Sequence, residues 1–402
     1  MDSMWQTMKI KDKYSIAIIA PVVFGFFIFG FSDTVGFATS YVQQEYALKE
    51  TIADLLPSMV FVWFLLLALP IARVMNRIGR KAMATIGYLI SIVGLMLPVV
   101  PIDSFVVYFM AFALIGIGNT VIQVAINPLL AILAPEEKMT GYLTMGQIMR
   151  NLSLMMASPI AFALTVAFGN WKTMFPIFAA VTLIAMMWLL FTPLPVEERQ
   201  DHNVTTGDIL DLLRNKPILL AFIGISLFIA CDVGAGVVTP KLIMERTALP
   251  IEKAALSSSI YYALRIVGTL VGLWAFSRMS DRRWLKINLV LLTATAVAML
   301  FAQQAWMIFS LSGVWGFAIS CVFATFYAMA TKCRPDKANE ISGLMIMAIS
   351  SGALIGPLMS FGAKLGGGSQ TGALFVVTLF VIALTLVAFL LKNVGTKADS
   401  PK

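Results

Sequence analysis

Four ionisable residues interrupt stretches that are otherwise apolar: Asp33, Arg150, Asp232 and Arg265. A charge in a low-dielectric setting is costly and persists where it meets an opposite charge, a proton or a polar ligand. Acids so placed can carry protons, and a guanidinium can hold a carboxylate through paired N–H donors. The same groups can close ion pairs between helices, for example Asp33 with Arg150. Amides surround them. Asn119, Gln123 and Asn127 recur every four residues, which puts them on one helical face. Gln147, Arg150 and Asn151 form a second stripe. Amides donate and accept at once, as a hydroxyl-rich ligand requires, and they also bond neighbouring helices together. Tyr261, Tyr262 and Arg265 fall within one turn, and Trp315, Phe323, Thr325 and Tyr327 form an aromatic stretch. Such rings stack on the apolar face of a sugar ring or pack against each other.

The elements that must position these residues follow from composition. Of 402 residues, 59% are hydrophobic and 12% charged, the latter about half of the share usual in soluble domains. A water-soluble fold, disorder and a coiled coil are excluded. A spanning helix needs about 20 mostly apolar residues. Twelve such stretches are expected, at 14–42, 51–72, 82–101, 105–133, 141–168, 172–192, 217–243, 253–277, 284–302, 306–331, 340–363 and 371–391. Backbone polar groups must be paired inside hydrocarbon, so these are helices. The expected fold class is an all-α membrane protein of twelve transmembrane helices in two six-helix pseudo-repeats. Residues 1–192 form the first bundle, 193–216 a cytoplasmic linker and 217–402 the second bundle. FSDTVG around Asp33 is matched by ACDVGAG around Asp232, and SPIAF at Pro159 by GPLMSF at Pro357.

The net charge of +8 is a topology signal, and no nucleic-acid partner is implied. Most Lys and Arg fall on the segments that are cytoplasmic if both termini are inside. Two basic segments join spans. ARVMNRIGRKAM, residues 72–83, carries Asn76, Arg77, Gly79 and Arg80. Gly79 permits a tight turn, and the arginines can bond carboxylates or helix C-terminal carbonyls. SRMSDRRWLK, residues 277–286, is its weaker counterpart and carries Asp281 and Arg282. A single histidine, His202, and three cysteines without ligand spacing give no metal site, no cofactor site and no nucleophile–base pair. Filter loops of the kind channels use are not found.

The chain resembles the major facilitator superfamily and, within it, the fucose:proton symporter family. The resemblance runs over nearly the whole chain. It rests on IQVAINPLLAILAPEE in the fourth span, YALRIVGTLVG in the eighth, SCVFATFYAMA in the tenth and ISSGALIGPL in the eleventh. It implies a secondary transporter of a sugar or sugar-like solute, proton-coupled, monomeric and set in the bacterial inner membrane. Asp33 matches a proton-coupling or sugar-contacting aspartate, Gln147 a sugar-binding glutamine, Asp232 an acidic position and Arg265 an arginine of the family. Four positions depart from the pattern. Gln123 stands where a protonatable glutamate is usual, Arg150 where an asparagine is, Asn76 where an aspartate is and Ala324 where a proline is.

The expected substrate-binding set is Asn119, Gln123, Asn127, Gln147, Arg150, Asn151, Tyr261, Arg265 and Phe323. Proton coupling falls to Asp33 and Asp232, and gating to Asn76, Arg77, Gly79, Arg80, Asp281 and Arg282. Arg150 also admits a sugar acid or other organic anion, moved in or out, and an uncoupled uniporter is the remaining alternative.

Overall fold

The computed structural model describes residues 16–33, 38, 41–42, 45–47, 55–102, 104–135, 138–194, 206–249, 251–254 and 256–391. The side chains of Asp33 and Pro159 lie outside that description. Every regular element among the described residues is helical. The long helices are α1 (Ile16–Phe29), α2 (Leu55–Ile78), α3 (Arg80–Met96), α4 (Phe105–Leu133), α5 (Met139–Phe168) and α6 (Met174–Phe191). They continue as α7 (Lys216–Thr247), α8 (Leu256–Phe276) and α9 (Asp281–Phe301). Then come α10a (Ala305–Ile319) with α10b (Val322–Cys333), α11a (Ala338–Met347) with α11b (Ile355–Leu365), and α12 (Gln370–Leu390). Ten helical stretches among the described residues are long and apolar enough to cross a membrane. The shorter apolar α1 and the amide-bearing α5 complete the set of twelve.

The chain divides into two compact units, Met1–Thr206 and Gly207–Lys402. Within the first, α1 packs on α5, α2 on α4, and α3 on both α4 and α6. Within the second, α7 packs on α11, α8 on α10a, and α9 on both α10a and α12. Each pairing recurs six helices further on, which is the topology of a parallel repeat. Many large apolar side chains face outward. Along α8 the buried positions are Ser257, Tyr261, Arg265, Gly268, Thr269, Gly272 and Ala275, while Val267, Leu270 and Trp274 point outward. A lipid solvent rewards apolar groups outside and leaves small and polar groups to make the helix contacts.

Small residues set the closest crossings. A Cβ on Gly118 of α4 would lie 2.8 Å from the Ser91 nitrogen of α3, and one on Gly94 would lie 2.9 Å from the Ile115 nitrogen. In the second unit a Cβ on Gly316 of α10a would collide with the Tyr261 carbonyl oxygen of α8.

Three expected spans are interrupted. The first leaves α-helical geometry at Phe29 for a tighter 3-10 turn, Gly30–Asp33. The tenth breaks at Ser320 and Cys321, between α10a and α10b. The eleventh holds a 3-10 stretch, Ala348–Leu354. Tightened turns inside spanning helices are where hinges occur. Residues 72–83 do not form a loop. α2 runs through Ile78 and α3 begins at Arg80, so Gly79 alone separates them. Asp281 and Arg282 likewise belong to the first turn of α9. Charge marks where a chain leaves the apolar layer, not where its helix ends, and both helices project past that limit.

Candidate functional site

The second unit holds the best-defined polar cluster. On α7, Phe228 and Asp232 stand four residues apart, and on α8 so do Tyr261 and Arg265, so each pair shares a face. The two faces meet. Arg265 Nη1 donates to Asp232 Oδ1 at 2.7 Å, with side-chain exposures of 4% and 17%. The Tyr261 hydroxyl donates to the same oxygen. The Arg265 guanidinium carbon is 5.8 Å from the ring centre of Phe228 and 5.8 Å from that of Tyr261, close enough for cation–π attraction. Arg265 Nε is buried and makes no hydrogen bond. Phe323, in the first turn of α10b, lies 6.2 Å from Phe228 and 5.9 Å from Tyr327, ring centre to ring centre. Tyr262 meets Tyr261 edge-on at 5.2 Å. The close approach of Gly316 to the Tyr261 backbone keeps α8 pressed against α10a. The structure therefore joins Tyr261, Asp232, Arg265 and Phe323, with Phe228 between the charge and the aromatic row.

In the first unit the amides of α4 lie at successive turns of one helix. Asn119, Gln123 and Asn127 are all buried on α4. Gln123 Nε2 donates to Asn119 Oδ1 at 3.2 Å, and Asn127 Nδ2 donates to the Gln123 carbonyl at 2.7 Å. These bonds run along α4 itself, so they do not cross-link helices. Asn127 Oδ1 makes no hydrogen bond. A small cavity beside Asn119 is lined also by Phe31, Ser91 and Thr182.

On α5, Gln147 and Asn151 are buried and Arg150 is half-buried. Neither side-chain amide atom of Asn151 makes a hydrogen bond, and nor does Arg150 Nε. The turn that ends at Asp33 rests on this helix: a Cβ on Gly30 would lie 2.2 Å from Ser153 Oγ, one turn beyond Arg150. The expected Asp33–Arg150 pair involves the Asp33 side chain, which lies outside the described residues.

The basic segments supply the helix-end contacts. Gly79 has φ 87° and ψ 159°, a conformation essentially confined to glycine. Asn76 is buried, and Arg77 and Arg80 flank Gly79 at the adjoining ends of α2 and α3. Lys81 Nζ donates to the carbonyls of Leu190 and Thr192, each at 2.8 Å, and so closes the C-terminal end of α6. In the second unit Asp281 Oδ2 is 2.9 Å from Lys332 Nζ, which joins the start of α9 to the end of α10b. Arg282 Nη2 donates to the Phe389 carbonyl of α12 at 3.5 Å.

The sequence did not reveal several of these contacts. Phe228 is one, although its i, i+4 relation to Asp232 is a readable signal. Glu245 and Arg246 are others. Arg246 donates to the carbonyls of Met299 and Leu300 at 3.0 and 2.9 Å and to Thr371 Oγ1 at 3.0 Å. Glu245 accepts from Ser369 Oγ and the Gln370 nitrogen at 2.5 and 2.6 Å. Glu340, 2% exposed in the first turn of α11a, is a buried acid that sits at the margin of its expected span. Among the described residues no group of three or more His, Cys, Asp or Glu side chains could hold a metal ion.

An all-helical membrane architecture with a doubled pairing scheme and a buried charge cluster defines a class of solute carriers. The profile of the Major Facilitator Superfamily matches residues 22–357, and the chain belongs to that family of integral membrane transporters. A Brucella abortus (strain 2308) protein named "Glucose/galactose transporter" is 20% identical over 86% of this chain and 87% of its own length. A Haemophilus influenzae (strain 86-028NP) protein named "Probable sugar efflux transporter" is 25% identical over 89% of this chain and 90% of its own. The crystal structure of the E.coli fucose:proton symporter superposes with a TM-score of 0.81 at 17% identity, covering 92% of this chain and 97% of that one. At that identity the likeness establishes the shared fold.

Proposed function

We propose that this protein is a secondary active transporter that moves a sugar or sugar-like polar solute with protons by alternating access. It works as a monomer in a bacterial inner membrane, with both termini cytoplasmic. The two halves are residues 1–192 and 217–402, joined by 193–216, and alternating access comes from the rocking of one against the other. The observation that carries this reading is the buried Asp232–Tyr261–Arg265 cluster in one unit of a transporter fold. Intramembrane ion pairs of this kind are expensive and mark pathways for protons and substrates. Relatives named for glucose and galactose transport and for sugar efflux support the substrate class.

The roles follow. Asp33 is ionised and paired with Arg150 when the site is empty. Protonation frees Arg150, which then helps the amides of Gln147, Asn151, Asn119, Gln123 and Asn127 hold the solute. Phe323 and Tyr261 offer rings, Asp232 is the second proton site, and Asn76, Arg77, Gly79, Arg80, Asp281 and Arg282 act at the gate. The orphaned amide of Asn151 supports a ligand there, because a buried polar group without a bond costs stability that a ligand restores. The test is uptake of labelled hexoses and hexuronates into proteoliposomes under an imposed pH gradient. Wild type is expected to concentrate solute and Asp33→Asn to equilibrate it only. Uphill uptake by Asp33→Asn at the wild-type level would refute the coupling.

A further inference from the structure

We propose that Arg265 is a carboxylate receptor whose seat Asp232 occupies until Asp232 takes up a proton, so that the preferred substrates are sugar acids. This rests on the reading of the protein as a proton-coupled carrier and narrows its substrate class.

The geometry is that of an internal ligand. Arg265 makes one ion pair, through Nη1 to Asp232 Oδ1 at 2.7 Å, and its Nε makes no hydrogen bond. Aromatic rings flank it at 5.8 Å, those of Phe228 and Tyr261. Asp232 is the more accessible partner, 17% exposed against 4% for Arg265. A ligand therefore reaches Asp232 first and reaches Arg265 only by displacing it. A neutral sugar that did so would leave a desolvated guanidinium without a counter-charge, which is strongly unfavourable. A carboxylate replaces Asp232 in both charge and shape, and can use the paired N–H donors of the guanidinium. The hydroxyls of a sugar acid would then meet the surrounding aromatic rings as any sugar would.

The charges balance. One proton binds the Asp232 carboxylate and breaks its ion pair. The substrate carboxylate takes the vacated place on Arg265. On the far side both leave and the internal pair closes again, so the Asp232 step by itself carries one proton with one monoanion. The titratable or charged groups that act on Asp232 are Arg265 and Tyr261 of α8 and Cys231 of α7, while Tyr262 of α8 and Cys321 act on the pair through Arg265 and Tyr261. Of the other elements packed on α7, α10a, α12 and the 3-10 stretch Ala348–Leu354 contain no charged residue, α11a carries the buried Glu340 and α11b carries Lys364, and the short helices Leu212–Arg214 and Ile251–Ala254 carry Arg214 and Lys253. α10b contributes Tyr327, Lys332 and Cys333, of which Lys332 is paired with Asp281.

The test uses the purified full-length chain with D-glucuronate and D-galacturonate as acidic probes and D-glucose and D-galactose as neutral ones. Binding is measured by calorimetry from pH 5 to 8. Uptake into proteoliposomes is measured with the membrane potential clamped. Uronate affinity is expected to fall by at least about tenfold per pH unit above a midpoint, as linkage to one or more protons requires. Uptake should follow the pH gradient. Asp232→Asn should bind uronates with a shallower pH dependence than wild type. Should that variant not fold, Tyr261→Phe serves. It removes a hydrogen bond to Asp232 Oδ1, so its uronate binding should persist to higher pH than that of wild type. Proton-driven uptake of neutral hexoses, with uronates neither bound nor competing, would overturn the carboxylate assignment and leave the carrier reading standing. A pH gradient that drives neither class would overturn both.

Discussion

Arg246 and Leu300 tie the C-terminal end of α7 to that of α9: the Arg246 Nη2 donates to the Leu300 carbonyl at 2.9 Å. The same guanidinium reaches Met299, Ala302 and Thr371. A helix C-terminus presents carbonyls with no partner in the helix and a partial negative charge. One planar cation placed there answers several of them at once. Glu245, the preceding residue, does the converse for the start of α12 by accepting from the Gln370 nitrogen. Adjacent residues of opposite charge thus fasten three helix ends.

Replacing Arg246 with alanine should lower stability by about 2 kcal/mol, since several charge-assisted bonds to a half-buried group are lost. Arg246→Lys should recover only part of this, because one ammonium cannot span the same carbonyls. Thermal unfolding in detergent, followed by tryptophan fluorescence, measures both. A wild-type midpoint for Arg246→Ala would show that the contacts contribute nothing.

Gly79→Ala should destabilise by about 1–3 kcal/mol, because φ 87° with ψ 159° is a region that a Cβ disfavours. Gly79→Asn should be no better, since asparagine tolerates the left-handed helical region and not this one. Equal unfolding midpoints for wild type and both variants would contradict the assignment.

Asp281 and Lys332 should be coupled by about 1 kcal/mol, the upper end of what partly exposed pairs deliver. A double-mutant cycle of Asp281→Asn and Lys332→Gln, read by thermal unfolding, isolates the pair from other effects. Additive effects of the two substitutions would mean that the 2.9 Å contact carries no net energy.

Asn151→Leu should raise the stability of the empty protein by about 1 kcal/mol and reduce transport. Both amide atoms of Asn151 are buried without a hydrogen bond, and an apolar group of similar size removes that desolvation cost. A gain in stability with a loss of uptake is the signature of a residue kept for its ligand. A loss of both would assign Asn151 to packing.

Much of the architecture was legible because hydropathy acts locally. The boundaries of α4, Phe105–Leu133, follow from apolar length and flanking polar residues alone. The ends of α2 and α3 did not, because Arg73, Asn76 and Arg77 mark where the chain leaves the apolar layer while the helix continues to Ile78. The breaks at Gly30, Ser320 and Ala348 were equally hidden. Ser153 packs against Gly30 at the first of them.

Sequence alone determined that the chain is helical and membrane-spanning, that it repeats, and which few ionisable residues sit inside its spans. Scarcity of charge makes those residues conspicuous whatever the packing. Only the tertiary structure decided how they are used: that Arg265 closes on Asp232, that Tyr261 bonds the same oxygen, that Gln123 and Asn119 bond along their own helix, and that Lys81, Glu245 and Arg246 fasten helix ends. The reason is one of range. Burial preference belongs to each residue, whereas a partner is chosen by helix rotation and crossing, which small residues such as Gly316 fix through contacts far apart in the chain.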